Sequence, residues 1–82
     1  MKQFMAISLN GAGAIMLEKE DEEKEELKPK HVRLGQFPSL AAATQKASEK
    51  LECPDVYPGV VCRGGGLGGF LIVNEEQLAA YG

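Results

Sequence analysis

The chain has 82 residues and a mass of 8.8 kDa, which leaves room for one small domain because a domain usually needs roughly 100 residues. Its hydrophobic fraction of 44% and charged fraction of 26% are typical of globular proteins and exclude a wholly disordered or fibrous chain. The formal net charge of −3, without clustered Lys and Arg, argues against direct binding to nucleic acid.

The N-terminal segment predicts a β-hairpin. The side chains from Lys2 to Leu9 alternate between two faces, as in a strand whose one face is buried and whose other face is partly buried. Asn10-Gly11 then tolerates the positive φ values of a tight turn, and the apolar segment Ala14 to Leu17 is predicted to return as the second strand. Polar residues interrupt the apolar stretch, so we expect folded structure here rather than an export signal.

Nine consecutive residues, Glu18 to Glu26, concentrate the negative charge of the chain. They hold seven acids and two lysines, a net charge of −5, whereas the rest of the chain holds five acids and seven bases, a net charge of +2. Like charges repel and no apolar residue occurs before Leu27, so we expect a mobile, solvated connector over residues 19–29. The Glu and Lys content is also compatible with a helix of two or three turns, which Pro29 would end.

The middle of the chain predicts a strand followed by a helix. Apolar residues alternate with other residues from His31 to Phe37, with Val32 and Leu34 on one face, and this pattern predicts a strand. Ser39 is a suitable N-cap for an amphipathic helix over residues 40–52, and Pro54 prevents its continuation. The predicted apolar face of this helix consists of Leu40, Ala43, Ala47 and Leu51.

The C-terminal third predicts two further strands and a short helix. The strands are Tyr57 to Arg63 and Phe70 to Val73, with a glycine-rich hairpin loop between them, and Asn74 to Gln77 has the spacing of a capping box. Together the elements predict a single α+β domain over residues 1–82. Its small antiparallel sheet of four to five strands has one amphipathic helix packed on one face.

The glycine-rich loop, Gly64 to Gly69, does not match a phosphate-binding loop. Such a loop ends in Gly-Lys followed by Ser or Thr and leads into a helix, whereas here a strand follows. Leu67 at its tip is predicted to be an exposed apolar residue on mobile backbone, an arrangement suited to contact with a partner.

Neither metal binding nor catalysis is predicted. Cys53, Cys62 and His31 offer three ligands without the paired spacing of a zinc site. No histidine and nucleophile share a recognisable motif, so we expect neither an enzyme nor a bound cofactor. Two cysteines favour free thiols in a reducing cytoplasm over a disulfide between Cys53 and Cys62. No apolar run approaches the roughly 18 residues of a membrane helix, so no membrane partner is expected.

The acidic run has two interpretations. It is either a solvated loop or a negative stripe that imitates a nucleic-acid backbone and docks on a basic protein surface. The second interpretation makes its acids, together with Leu67, the candidate partner-binding residues. The full set is Glu18, Glu20, Asp21, Glu22, Glu23, Glu25, Glu26 and Leu67.

Two segments carry a resemblance to a known class of proteins. They are Phe37-Pro38-Ser39-Leu40-Ala41-Ala42-Ala43 leading into Lys46-Ala47, and Phe70-Leu71-Ile72-Val73 followed by Glu76-Gln77-Leu78. Over about half of the chain this order resembles small phage-encoded anti-CRISPR proteins that act on type I systems. The resemblance implies a non-enzymatic inhibitor that binds a host CRISPR–Cas complex, or another nucleic-acid-targeting protein, in the host bacterial cytoplasm and blocks DNA recognition or cleavage. The alternative is a small self-associating module, a homodimer formed by sheet pairing or helix contact, with no host target.

Overall fold

A five-stranded antiparallel sheet forms the centre of the protein in the computed structural model, which describes residues 1–19, 23 and 25–81. The strands are β1 (Lys2–Leu9), β2 (Leu17–Lys19), β3 (Leu27–Pro29), β4 (His31–Phe37), β5 (Asp55–Tyr57), β6 (Val60–Cys62) and β7 (Gly69–Asn74), and the helices are α1 (Leu40–Lys50) and α2 (Glu75–Tyr81). The large sheet has the order β4-β1-β7-β6-β5, and β2 and β3 form a second, two-stranded sheet. The predicted α+β class with a small antiparallel sheet is therefore confirmed.

Helix α1 packs on one face of the sheet through its alanines. Ala43 and Ala47 are fully buried, and their small side chains let the helix lie close to the strands. The Ser39 side chain accepts a hydrogen bond from the N–H of Ala42 at 3.2 Å, which confirms the predicted N-cap. The core on this face consists of Phe4, Ala6, Leu34, Ala43, Ala47, Cys53, Val61, Phe70 and Ile72.

The opposite face of the sheet is also buried at its centre. Met5 and Val73 are paired in the register of β1 and β7, and both are buried together with Ile7. Helix α2, the terminal helix that the capping box predicted, contacts β1, β3 and β7 on this side. The sheet is thus covered by a helix on each face rather than by α1 alone, because β1 is apolar on both faces.

The predicted first hairpin forms at its turn and one bridge beyond it, but the predicted second strand over Ala14 to Leu17 is wrong. The Asn10 side chain does stabilise a turn, because its Oδ1 accepts hydrogen bonds from the N–H groups of Ala12 and Ala14 at 2.9 and 3.0 Å. The returning segment, however, pairs with β1 only around a single bridge between Ile15 and Leu9, which is flanked by the backbone hydrogen bonds from Asn10 to Ala14 and from Met16 to Ser8. Strands β4 and β7 occupy the two edges of β1, so a returning strand has no edge to pair with along most of β1.

Both ends of the predicted acidic connector form β-strands instead. Lys19 lies in β2 and Leu27–Pro29 forms β3, and these two strands pair antiparallel. At positions 19 and 27–29, both the predicted mobile connector and the alternative helix are therefore wrong. Glu20, Asp21, Glu22 and Lys24 lie outside the described residues.

Two other predicted bounds were wrong. The strand predicted over Tyr57 to Arg63 is instead the hairpin of β5 and β6, because Pro58-Gly59 forms a turn in which Gly59 has φ of +76°. Helix α1 ends at Lys50 rather than at residue 52. Glu52 has φ of +55°, which is incompatible with a continued right-handed helix.

We predict that Asn74→Ala lowers the free energy of unfolding by about 1 kcal/mol. The N–H of Gln77 donates to Asn74 Oδ1 at 2.8 Å and the N–H of Asn74 donates to Gln77 Oε1 at 3.1 Å, which confirms the predicted capping box. Asn74→Asp keeps the acceptor and should lose much less. Urea unfolding followed by circular dichroism measures both variants, and an equal loss in both would contradict the capping role.

Candidate protein-binding surfaces

Strands β2 and β3 leave the main sheet at one point of β1. The N–H of Ser8 donates to the Lys30 carbonyl at 2.8 Å, and the Ser8 carbonyl accepts from the N–H of Met16 at 2.9 Å. The N–H of Lys30 donates to the Met16 carbonyl at 2.8 Å, which ties the two departing chains together. Beyond these anchors, β2 and β3 pair only with each other in the part of the chain that the structure describes. We call the described residues of this segment, 17–19, 23 and 25–29, the acidic hairpin.

The acidic hairpin combines carboxylates with exposed leucines. Leu17 pairs with Pro29 and Lys19 pairs with Leu27, so both leucines lie on one face of the hairpin. Leu17 is 54% and Leu27 is 53% exposed, which leaves two large apolar side chains in solvent. Glu18 lies on the other face, directly opposite Lys28. This hairpin therefore offers both charge and apolar area to a partner.

The structure places part of the predicted partner-binding set on this hairpin. Glu18, Glu23, Glu25 and Glu26 are exposed there, whereas the predicted residues Glu20, Asp21 and Glu22 are outside the described residues. Leu67 belongs to a different loop. Leu17 and Leu27 were not among the partner-binding residues predicted from the sequence. Two leucines that border an acidic run could have indicated an apolar contact surface there.

The glycine-rich loop joins β6 to β7, as predicted, and packs against the turn that follows β1. A Cβ atom on Gly11 would clash with the carbonyl oxygen of Gly66, and one on Gly68 would clash with the carbonyl oxygen of Leu9. The two loops are thus in backbone contact that only glycine permits. Leu67 is exposed at the tip of this loop, as predicted.

The cysteines and the histidine occupy separate environments. Cys53 is buried and Cys62 half-buried, and both are free thiols. Burial raises the pKa of the Cys53 thiol and the neighbouring Cys62 adds to this, while the positive charge of Arg63 opposes it. His31 is exposed, and its Nδ1 lies 2.8 Å from the Pro29 carbonyl oxygen. Because a carbonyl oxygen only accepts, Nδ1 is the donor of this hydrogen bond.

Within the described ranges, no group of three His, Cys, Asp or Glu side chains could hold a metal ion. Neither helix of those ranges is long and apolar enough to cross a membrane. Comparisons with protein-family models, with curated proteins and with solved structures find no match to this chain. Its function is therefore inferred from its surfaces.

We predict that Gly68→Ala destabilises the protein more than Gly13→Ala does. The two glycines have nearly equal φ values, +85° and +80°, but an added Cβ meets backbone at Gly68 and open space at Gly13. Both variants should therefore lose about 1–3 kcal/mol of unfolding free energy from backbone strain, and Gly68→Ala should lose more because of the clash. Urea midpoints test this, and equal losses would mean that the two loops separate without cost.

We predict that iodoacetamide labels native protein at Cys62 before Cys53. Cys53 is 1% exposed and its raised pKa keeps the thiol protonated at neutral pH, whereas the thiolate is the reactive species. The variant Cys62→Ser should be labelled only when denaturant is added, as measured by mass spectrometry at pH 7.5. Native labelling of Cys62→Ser at the rate of the unfolded chain would contradict the burial of Cys53.

Proposed function

We propose that the protein is a non-enzymatic inhibitor that binds a host CRISPR–Cas complex, or another nucleic-acid-targeting protein, through its acidic hairpin. The observation that supports this proposal is the pairing of β2 with β3, which holds exposed carboxylates and two exposed leucines on one short hairpin. In this proposal the hairpin occupies a basic surface that otherwise binds nucleic acid. It acts in the host bacterial cytoplasm and blocks DNA recognition or cleavage by occupying that surface.

The two kinds of side chain have different tasks in this proposal. Exposed carboxylates attract a basic surface from a distance and raise the association rate, but exposed ion pairs add little affinity by themselves. The apolar area of Leu17 and Leu27 supplies affinity, because each buried Å² of apolar surface contributes about 25 cal/mol. A nucleic acid offers charge without such side chains, so the leucines would let the protein compete with it.

The net charge outside the acidic run fits the same proposal. Those residues carry +2 and the run carries −5, so the negative charge is concentrated in one segment of the chain. A concentrated potential orients the protein as it approaches a basic surface. The hairpin therefore reaches the target first.

We predict that the triple variant Glu18→Gln, Glu25→Gln, Glu26→Gln loses the host partner. The test is a pull-down from a nuclease-treated bacterial lysate with an active CRISPR system, read by mass spectrometry. The original chain should recover Cas subunits, recovery should fall as salt is raised, and the variant should recover at least about tenfold less.

A matched control changes the same number of acids elsewhere. Glu49→Gln, Glu52→Gln, Glu76→Gln removes three exposed carboxylates outside the hairpin, so its net charge equals that of the hairpin variant. The control should recover the partner as the original chain does. Equal losses in both variants would show that only overall charge matters, and recovery of Cas subunits by neither the original chain nor any variant would refute the inhibitor proposal.

A second proposed function is that of a small self-associating module. The observation that favours it is the open edge of the sheet at β5, beside which several large apolar side chains are exposed. This function needs no host target. It predicts self-association that is indifferent to the charge of the acidic hairpin.

A further inference from the structure

Strand β5 is an edge strand with an unused backbone donor and acceptor. The N–H of Ile72 donates to the Gly59 carbonyl at 2.8 Å, so Gly59 points toward β7. Because backbone groups alternate in direction along a strand, Val60 points toward β5, where Tyr57 is its partner in the register. The next residue of β5, Val56, therefore directs its N–H and C=O away from the sheet.

An apolar groove runs beside this edge, between β5 and the first turns of α1. Its volume is about 460 Å³, and Leu40 lies against Gly59 at its floor. Leu40, Val56 and Tyr57 border it and are 40%, 43% and 57% exposed. None of the residues that line the groove is charged, although 26% of the chain is charged.

We propose that a second copy of the chain covers this groove, by antiparallel pairing of β5 with β5 of the partner about a two-fold axis at Val56. In this register the two Val56 residues exchange both of their outward hydrogen bonds. Asp55, the one charged residue of the strand, then lies opposite Tyr57 of the second copy rather than opposite another Asp55. The proposal names the interface of the self-associating module and rests on that second proposed function.

The chemistry of the groove favours a copy of itself over a charged partner. The cores of protein interfaces are depleted of charged residues, because burying an unpaired charge is costly. Pairing about Val56 places two uncharged grooves on the same face of a continuous sheet, and Ala41 and Thr44 on that side are small enough for the two α1 helices to approach. No charged lining residue is buried in the process.

The pairing is limited to a closed and reversible dimer. Pro54 and Pro58 flank β5 and restrict the ladder to three residues. The three exposed side chains offer less than the roughly 800 Å² per partner that stable complexes bury, so the dimer population should depend on concentration.

The other edge of the sheet is protected against such pairing. Strand β4 has an irregularity opposite Phe4 and Met5, and Lys50 Nζ donates to the Arg33 carbonyl at 3.4 Å. Irregular register and a charged cover are common means of blocking an edge strand. A two-fold dimer through β5 therefore closes without extending into a fibre.

The test uses two similar valines, one on each edge strand. Val56 is 43% and Val32 is 40% exposed, and the registers place both on the face of the sheet that α1 covers. Val56→Lys places two lysines opposite each other at the two-fold axis, whereas Val32→Lys adds the same charge on the blocked edge. Sedimentation velocity over a wide concentration range measures the mass of each form, and circular dichroism checks that each is folded.

The apparent mass of the original chain should rise from 8.8 kDa toward twice that value with concentration. Val32→Lys should do the same, and the dissociation constant of Val56→Lys should be at least about tenfold weaker. A dimer that persists in folded Val56→Lys would overturn this interface but keep the self-associating module. An original chain that is monomeric at every concentration would overturn both.

Amide hydrogen exchange gives a second, variant-free readout. The outward N–H of Val56 has no partner in the sheet of a single copy, so it should exchange quickly at low concentration. Its exchange should slow as dimer accumulates, while the amides of the blocked strand β4 should not change. Concentration-independent exchange at Val56 in a sample shown to be dimeric would place the dimer interface elsewhere.

Discussion

The burial of β1 on both faces is the constraint on which the rest of the structure depends. Four consecutive residues, Phe4 to Ile7, are buried, so both faces of the sheet must be covered where β1 lies. Helix α1 covers one face and α2 the other, while β4 and β7 occupy the two edges. In a chain of 82 residues one strand thus organises nearly every other element, as expected where a small domain has little surface to bury.

The position of the acidic hairpin follows from the same constraint. The edge of β1 is free of β4 only near Ser8, where Met16 and Lys30 take up its backbone groups. The acidic segment between these two anchors has no place on the main sheet, and its charges have no place in the core. Its strands β2 and β3 therefore form a separate two-stranded sheet, with Pro29 buried at its base. The surface proposed for a partner is a consequence of how the central strand is paired.

Sequence patterns predicted the long elements well and the short ones poorly. The strands β1 and β4 and the caps at Ser39 and Asn74 were predictable, because alternation and capping are local signals. Strands of three residues, such as β2, β3, β5 and β6, are decided by their partners elsewhere in the chain. The same holds for the candidate site. Charge alone predicted that the described glutamates of the hairpin would be exposed. The shared face of Leu17 and Leu27 was not predictable, because it depends on a strand register that no local pattern contains.

Repulsion within the acidic run also explains why a hairpin rather than a helix borders it. In a helix, acids three or four residues apart face each other, and this run contains such pairs as Glu18 and Glu22, or Glu22 and Glu26. Extended backbone sends successive side chains to opposite sides and separates neighbouring charges. Lys28 opposite Glu18 supplies an opposite charge across the pair of strands. The repulsion that disfavours a helix is thus relieved at Glu18, which lies in extended backbone opposite a lysine.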